Sequence, residues 1–320
     1  MSTGKFLPPE VTTNADLESL LETSDDWITE RTGIKERRLA GDSISAADMG
    51  ASASFDALDK IGLDPSDINL IILSTATPDR LLPSTACDVQ ALIGANNALA
   101  FDIGGACSGF LYGLTVAEGY ITSGRAEKVL VVAAEKMSSI VDWSDRSTCV
   151  LFGDGAGACV VQASEGKRGI IGTHHGSDGR LAELLYRPAG GGLSPLTTES
   201  LQRGDHLVKM SGKEVFKNAV RSMASASERA LADAGLKGED VDLLIPHQAN
   251  IRIIESTARY SGIPMDKVFV NVDRYGNMSS ATIPIAMDEA IEQRILKPGM
   301  NVLTAAFGAG FAWGAIAIHW

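Results

Sequence analysis

The chain has 320 residues, which is long for one ordinary domain. Apolar residues make up 45% and charged residues 21% of the sequence, a composition typical of folded globular proteins. Its 28 lysines and arginines stand against 40 aspartates and glutamates, and the net charge of −12 argues against nucleic acid or an anionic membrane as partner. The sequence has neither a signal-peptide pattern nor eighteen consecutive apolar residues. Its four cysteines lack CxxC spacing, which disfavours a zinc site or disulfide framework and suits a reducing cytoplasm.

Short apolar runs alternate with stretches of helical periodicity along the chain and predict an α/β fold. Each run is rich in valine, isoleucine, leucine or alanine and is bounded by glycine, proline or aspartate. Runs of this kind are typical of strands buried on both faces of a mostly parallel sheet that helices cover. The predicted strands are residues 70–73, 129–134, 241–245, 268–272 and 302–306.

One segment of the sequence occurs twice. Residues 57–72 align without gaps with residues 230–245, at an offset of 173, and seven of the sixteen positions are identical. Because this period exceeds half the chain, it predicts two similar α/β halves, which we place at residues 1–165 and 166–320. An exposed glycine-rich loop is expected at residues 188–200, near their junction. Two such halves leave a crevice at their strand ends, where we expect a ligand site.

Cys107 stands in a segment that predicts a strand, a glycine turn and a helix. The strand ends at Ile103, two glycines follow, and the helix runs on toward Ser123. Unpaired N–H groups at a helix N-terminus favour a thiolate, so the segment has the form of a nucleophile elbow with cysteine in place of serine. The alternative is a buried cysteine that only packs, which is how we interpret Cys149 and Cys159.

Two polar residues of the second half also follow predicted strands. His247, in LLIPHQAN, lies where an α/β sheet presents its carboxyl edge, although a structural histidine would fit the same pattern. Asn277, in DRYGNMSSA, precedes a predicted helix and is otherwise explained as a turn or N-cap residue. The turn AFGAGFAWG at 306–314 is either a plain hairpin or a means of aiming a backbone N–H at an oxyanion.

These segments and several others form an ordered set of motifs. The chain resembles the β-ketoacyl-acyl-carrier-protein synthase III family of the thiolase superfamily, which starts type II fatty-acid synthesis. The resemblance implies a thiolase-like α/β fold with two similar halves in a layered α-β-α-β-α arrangement. Besides the Cys107 segment, the motifs are TSDDWITERTGI at 23–34, DRSTCVLFGDGAGA at 145–158, SGKEVFK at 211–217, PHQANIRII at 246–254, YGNMSSA at 275–281 and FGAGFAWG at 307–314.

The resemblance implies a two-stage, decarboxylating Claisen condensation. Cys107 accepts an acyl group from a short acyl-CoA, and malonyl-acyl-carrier protein then loses CO2 and attacks the thioester to give 3-oxoacyl-acyl-carrier protein. His247 and Asn277 would hold the charge on the malonyl thioester oxygen. The N–H groups of Cys107 and Ala309 would hold the tetrahedral oxyanion, and Phe307 would pack near the departing carboxylate. Acyl-CoA is a substrate in this scheme, and neither a permanently bound cofactor nor a metal is implied.

The same resemblance implies binding residues and partners. A cytoplasmic homodimer is expected, in which Leu82 reaches the acyl pocket of the partner chain. Because acetyl-preferring members are expected to carry phenylalanine there, leucine predicts acceptance of propionyl, longer or branched primers. The chain also begins about five residues short of the usual first strand, so we expect that strand to be truncated. The implied CoA contacts are Trp27, Arg31, Arg146, Gly212, Phe216 and Asn250, and the implied docking patch for the carrier protein is Lys217, Arg252 and Arg259.

Two other functions fit parts of the sequence. A related acyltransferase would pass the acyl group from Cys107 to an oxygen or nitrogen nucleophile without decarboxylation. A catalytically silent thiolase-fold subunit would only bind acyl chains or support an active partner. The presence of Cys107, His247 and Asn277 together argues against the silent subunit.

Overall fold

Thirteen strands and ten α-helices build the computed structural model, which describes residues 2–166 and 168–320. The strands are β1 (Ser2–Phe6), β2 (Glu10–Thr13), β3 (Glu36–Leu39), β4 (Leu70–Ser74), β5 (Leu99–Ile103), β6 (Lys128–Lys136), β7 (Asp154–Gln162), β8 (Gly169–Ser177), β9 (Leu185–Tyr186), β10 (Lys209–Met210), β11 (Leu243–Pro246), β12 (Asn301–Gly308) and β13 (Ala312–His319). The helices are α1 (Asn14–Glu18), α2 (Asp25–Thr32), α3 (Ala46–Asp59), α4 (Thr85–Ile93), α5 (Gly109–Thr122), α6 (Thr198–Gln202), α7 (Gly212–Asp233), α8 (Ile251–Tyr260), α9 (Val272–Tyr275) and α10 (Thr282–Glu292).

Both large sheets are mixed rather than mostly parallel. In the first sheet, ordered β1-β7-β6-β4-β5, β4 pairs in parallel with β5 and β6, whereas β7 is antiparallel to β6 and β1. In the second, ordered β11-β12-β13-β8, only the β11–β12 pair is parallel. The prediction of a mostly parallel sheet is therefore wrong. Burial on both faces produces an apolar run whichever way the neighbouring strand points, so the run does not encode strand direction.

Four of the five predicted strands are present in the structure, and one is absent. Residues 70–73, 129–134 and 302–306 lie within β4, β6 and β12, and residues 241–245 overlap β11. Val268 forms only an isolated parallel bridge with Leu244, and the chain turns into α9 at Val272. The prediction of a strand at 268–272 is wrong because an apolar run of that length also suits a buried connection that follows a sheet edge.

The first strand is paired along its whole length. β1 is antiparallel to β7, with Ser2 opposite Val160 and Phe6 opposite Ala156. All five described residues of this strand are therefore paired. Its edge is further tied to α10, where Asp288 is buried and accepts hydrogen bonds from Lys5 Nζ at 2.8 Å and from Lys60 Nζ at 2.7 Å. Burial would raise the pKa of Asp288, but these donors outweigh it and hold the pKa below its ordinary value.

The repeated sequence builds the same unit twice. The 3₁₀ turns at Pro65–Asp67 and Gly238–Asp240 are separated by the offset found in the sequence, as are the first residues of β4 and β11 and those of β6 and β12. Gly62 and Gly235, which occupy matching positions before these turns, both adopt left-handed conformations, with φ of 61° and 70°. Both units place the repeated strand beside its parallel neighbour, β6 in one sheet and β12 in the other.

Helices and sheets alternate in five layers. Alternate residues of each central strand face opposite sides, so in β6 Val129 and Val131 pack on α5 while Leu130 and Val132 pack on α3. The core between the sheets contains α5 and α10 with residues of β4, β6, β11 and β12, and α7 and α8 cover the far face of the second sheet. The expected layered α-β-α-β-α arrangement is confirmed. No helix of the described part of the chain combines the length and apolarity needed to cross a bilayer.

Candidate active site

The predicted strand, glycine turn and helix around Cys107 are present. β5 ends at Ile103, a 3₁₀ turn covers Ala106–Ser108, and α5 begins at Gly109. Ala106 is held at a left-handed φ of 43°, which turns the chain sharply before the cysteine. The side chain of Cys107 is partly exposed, and it lines a cavity of about 660 Å³.

This cavity collects most of the predicted site residues from both halves of the chain. Four predicted residues do not line it: Arg146, Lys217, Arg259 and Leu82. Those that line it are Cys107, His247, Asn277, Phe307, Ala309, Trp27, Arg31, Gly212, Phe216, Asn250 and Arg252.

Burial controls the protonation of Cys107. Burial raises the pKa of its thiol from 9.0 to about 12, and the hydrogen bond to Ser279 offsets only part of the rise, to which the Glu135 carboxylate adds. This rise opposes the pull of the helix N-terminus toward the thiolate. Activation of the Cys107 thiol therefore calls for a proton acceptor.

His247 lies at the carboxyl edge of the second sheet, as predicted. It directly follows β11, its backbone N–H donates to Ala305 O at 2.8 Å, and its side chain is buried. Burial lowers the pKa of the imidazole to about 3, so the ring is neutral at physiological pH. Nδ1 lies 2.6 Å from Thr282 Oγ1, and the Thr282 hydroxyl donates to Ser279 O at 3.1 Å. A neutral ring in the cavity wall can accept a proton or donate one, depending on its tautomer.

Asn277 is held through its amide oxygen, and within the described part of the chain its amide nitrogen has no hydrogen-bond acceptor and can donate into the cavity. Its Oδ1 accepts the backbone N–H of Ser279 at 2.8 Å, an Asx-type contact that fixes the orientation of the side chain. Ser279 in turn has a left-handed φ of 48°, and its hydroxyl lies 3.5 Å from Cys107 Sγ. The turn after Asn277 therefore brings a second polar group to the cysteine.

A buried carboxyl group holds the segment that follows Asn277 through hydrogen bonds. Glu135, at the end of β6, accepts hydrogen bonds from Ser280 Oγ at 2.7 Å, from Ala76 N at 2.9 Å and from Thr77 Oγ1 at 3.1 Å. Burial raises the pKa of Glu135, against the lowering effect of these donors. The link joins the first sheet to the segment that carries Asn277 and Ser279.

Gly308 lets the end of β12 approach the cysteine closely. A Cβ at this position would lie 2.7 Å from Cys107 N and 3.2 Å from Cys107 Cβ, closer than ordinary contact. Ala309 follows in the turn between β12 and β13 and lines the cavity. Only glycine leaves room for this turn beside the backbone N–H of Cys107.

A cationic aromatic surface lies at the cavity rim. The guanidinium carbons of Arg31 and Arg146 lie 4.7 and 5.1 Å from the centroid of the Trp27 ring. The Asn250 side chain is engaged within the protein: Nδ2 donates to Arg31 O at 2.9 Å, and Oδ1 accepts from Arg252 N at 2.8 Å. Asn250 therefore caps α8 and ties it to α2, a contact that its sequence motif did not reveal.

The remaining predicted residues lie outside the cavity or at its edge. Lys217 is exposed on α7, and Arg252 and Arg259 are exposed seven residues apart on α8. The Arg252 guanidinium also donates to Glu30 O at 2.8 Å, which places it at the cavity rim. Leu82 lies in the loop before α4, and its side chain is 85% exposed. The structure therefore does not bring Leu82 to the cavity of its own chain.

Three site residues were missed by the sequence analysis: Ser279, Thr282 and Glu135. An isolated glutamate within the apolar run VLVVAAEK was the available signal for Glu135, whereas the two hydroxyl residues carried none. Cys149 and Cys159 are fully buried, in agreement with their interpretation as packing residues. Among residues 2–166 and 168–320, no cluster of three or more histidine, cysteine, aspartate or glutamate side chains could hold a metal ion.

Solved structures match the whole chain. The 3-oxoacyl-[acyl-carrier-protein] synthase III from Aquifex aeolicus has a TM-score of 0.92 at 48% identity, with 100% of this chain and 98% of that chain covered. The synthase III from Thermus thermophilus has a TM-score of 0.93 at 42% identity, with 100% and 98% covered. Together with the five layers and the cysteine turn at the junction of two repeats, these matches define an enzyme of the thiolase-fold class.

Sequence comparison identifies the family. Models described as 3-oxoacyl-[acyl-carrier-protein] synthase III and as its C-terminal part match residues 101–179 and 231–320. The β-ketoacyl-[acyl-carrier-protein] synthase III of Caldanaerobacter subterraneus subsp. tengcongensis is 49% identical over 320 residues, with 100% of this chain and 97% of the relative covered. The chain belongs to the β-ketoacyl-[acyl-carrier-protein] synthase III family and is an acyltransferase-class enzyme of the initiating condensation in fatty-acid synthesis. The resemblance read from the motifs is confirmed.

Proposed function

We propose that this enzyme condenses a short acyl-CoA with malonyl-acyl-carrier protein, with release of CO2, through an acyl-Cys107 intermediate. The observation that carries the proposal is that Cys107, His247 and Asn277 line one cavity, although they come from different halves of the chain. A nucleophile, a neutral imidazole and an amide donor in one cavity are the groups that the two half-reactions need.

In the first half-reaction, His247 Nε2 accepts the proton of the Cys107 thiol, and Sγ attacks the thioester carbonyl of the acyl-CoA. The backbone N–H groups of Cys107 and Ala309 hold the tetrahedral oxyanion. When the intermediate collapses, the carbon–sulfur bond to CoA breaks, and the departing thiolate takes the proton from His247. The products are acyl-Cys107 and CoA.

In the second half-reaction, the malonyl carboxylate leaves as CO2 and its bonding electrons move onto the thioester oxygen. Asn277 Nδ2 and His247 Nε2–H donate to that oxygen, and the Phe307 ring offers the carboxylate an apolar neighbour that favours its loss. The resulting carbanion attacks the acyl carbon on Cys107. The expelled Cys107 thiolate then takes a proton from solvent.

Substrate binding follows the distribution of charge and aromatic surface. Trp27, Arg31 and Arg146 would bind the nucleotide end of CoA, and Gly212, Phe216 and Asn250 would line the path of its pantetheine arm. The chain as a whole has a negative net charge, but Lys217, Arg252 and Arg259 would form a local positive patch that attracts the acidic carrier protein. We place the enzyme in the cytoplasm, without a permanently bound cofactor. It would act as a homodimer in which Leu82 of one chain enters the acyl pocket of its partner, and this smaller side chain would admit primers larger than acetyl.

Two measurements test this function. After incubation with acetyl-CoA, intact-protein mass spectrometry should show one acetyl adduct, absent in Cys107→Ser and present in the matched control Cys87→Ser, whose thiol is also partly exposed. Addition of malonyl-acyl-carrier protein labelled in its free carboxyl should then release labelled CO2. An adduct without CO2 release would favour transfer to another nucleophile, and a protein that forms no adduct would be a silent subunit. A primer series should show butyryl-CoA accepted by the parent and rejected after Leu82→Phe.

A further inference from the structure

The two half-reactions place opposite demands on one atom. In acylation, Nε2 of His247 must be unprotonated to accept the Cys107 proton. In decarboxylation, Nε2 must carry a proton to donate to the malonyl oxygen. Because the buried imidazole is neutral and has only one N–H, the two demands correspond to its two tautomers.

The partner of the other ring nitrogen determines which tautomer is stable. That partner is Thr282 Oγ1, 2.6 Å from His247 Nδ1, on a side chain that is fully buried at the start of α10. The Thr282 hydroxyl has a second acceptor, Ser279 O at 3.1 Å. When its proton points to Ser279 O, the hydroxyl oxygen accepts Nδ1–H and leaves Nε2 as a base. When its proton points to Nδ1, the ring carries its proton on Nε2 and becomes a donor.

We propose that Thr282 is a positioning residue that lets His247 change tautomer between the two half-reactions by rotation of its hydroxyl. A backbone carbonyl at this place would lock the base form and a backbone N–H would lock the donor form, because each has only one hydrogen-bonding role. The exchange removes one proton from Nδ1 and adds one at Nε2, so the ring's net protonation is unchanged and nothing is consumed. The proposal rests on the proposed function, since it needs both roles of His247.

The sharpest variant is Thr282→Val, which keeps the branched shape and removes the hydroxyl. A buried Nδ1–H facing a methyl group would be unsatisfied, so the ring should stay in the Nε2–H form. Thr282→Ser retains a hydroxyl and serves as the matched control. Histidine ¹⁵N shifts read the tautomer directly, and His247→Asn identifies the resonances of this ring.

We expect Nδ1 to be protonated in the parent and in Thr282→Ser, and unprotonated in Thr282→Val. The acylation rate of Thr282→Val should fall by about 10–100-fold, whereas decarboxylation by enzyme acylated in advance should change less than about threefold because the donor form is retained. Thr282→Ser should restore acylation.

Two results would overturn the inference: the same tautomer in parent and Thr282→Val, or an equal fall of both half-reactions in that variant. The second result would indicate a merely structural role, for which Thr282→Ser offers no selective rescue. If the parent itself formed no adduct on Cys107, the proposed function would fail. The ¹⁵N measurement, which needs no turnover, would still decide whether Thr282 sets the tautomer.

Discussion

Substitution of Gly308 by alanine isolates the contact between the end of β12 and Cys107. The added Cβ would lie 2.7 Å from Cys107 N, and ordinary contact begins at 3.4 Å, so the turn and the cysteine must separate by 0.7 Å. Oxyanion donors act at about 2.7–3.1 Å, and a shift of this size takes at least one donor out of range. Loss of one donor costs about 2.7–4 kcal/mol of barrier, so acylation should slow by about 10²–10³.

The assay is single-turnover formation of acetyl-Cys107 from acetyl-CoA, followed by mass spectrometry. Gly119→Ala is the matched control, because Gly119 lies within α5 and open space surrounds its would-be Cβ. That control should acylate at the parent rate and unfold at a slightly higher temperature, since alanine is favoured over glycine in a helix by about 0.5–1 kcal/mol. A folded Gly308→Ala enzyme that acylates at the parent rate would refute the assignment of this turn to the oxyanion site.

Three further variants test the stability and binding arguments. Asp288→Asn should lower the free energy of unfolding by about 1–3 kcal/mol at neutral pH. Because the native pKa of Asp288 is depressed, the parent's advantage in pH-dependent denaturation should shrink as the pH falls below 3.8, and an advantage that did not shrink on further acidification would contradict the assignment. Trp27→Ala should raise the KM for acetyl-CoA roughly tenfold with kcat unchanged, and an unchanged KM would remove Trp27 from the CoA site. The double variant Lys217→Glu with Arg259→Glu should raise the KM for malonyl-acyl-carrier protein about tenfold at low salt, less at high salt, without slowing acylation by acetyl-CoA. Equal effects on both substrates would point to a folding defect instead.

Local patterns predicted the parts of the fold that local residues determine. The repeat located the turns and strand starts of both units, because a helix end, a left-handed glycine and a buried strand are specified within about sixteen residues. Strand direction, and whether residues 268–272 form a strand, depend on the segments that pack beside them in the fold. An apolar run does not specify those neighbours.

The site shows the same division between local and distant causes. The turn that presents Cys107 is encoded in adjacent residues, but the protonation of its thiol depends on burial and on Glu135, which comes from another strand. Ser279 and Thr282 escaped notice because their contacts with Cys107 and His247 join residues 172 and 35 positions apart. Ordinary hydroxyl residues become significant only once folding has fixed their neighbours.

The shared core between the sheets has a consequence for how the chain is synthesised. α5 packs on the first sheet on one side and shares a core with α10 and the second sheet, and α10 ends at Glu292, 170 residues after α5 ends at Thr122. At roughly 5–20 residues per second, a ribosome needs about 10–30 s to make that interval. During this time the side of α5 that packs toward the second sheet has no native cover. We expect the nascent first half to be prone to aggregation in this interval, and slowing translation of the second half should lower the yield of folded enzyme.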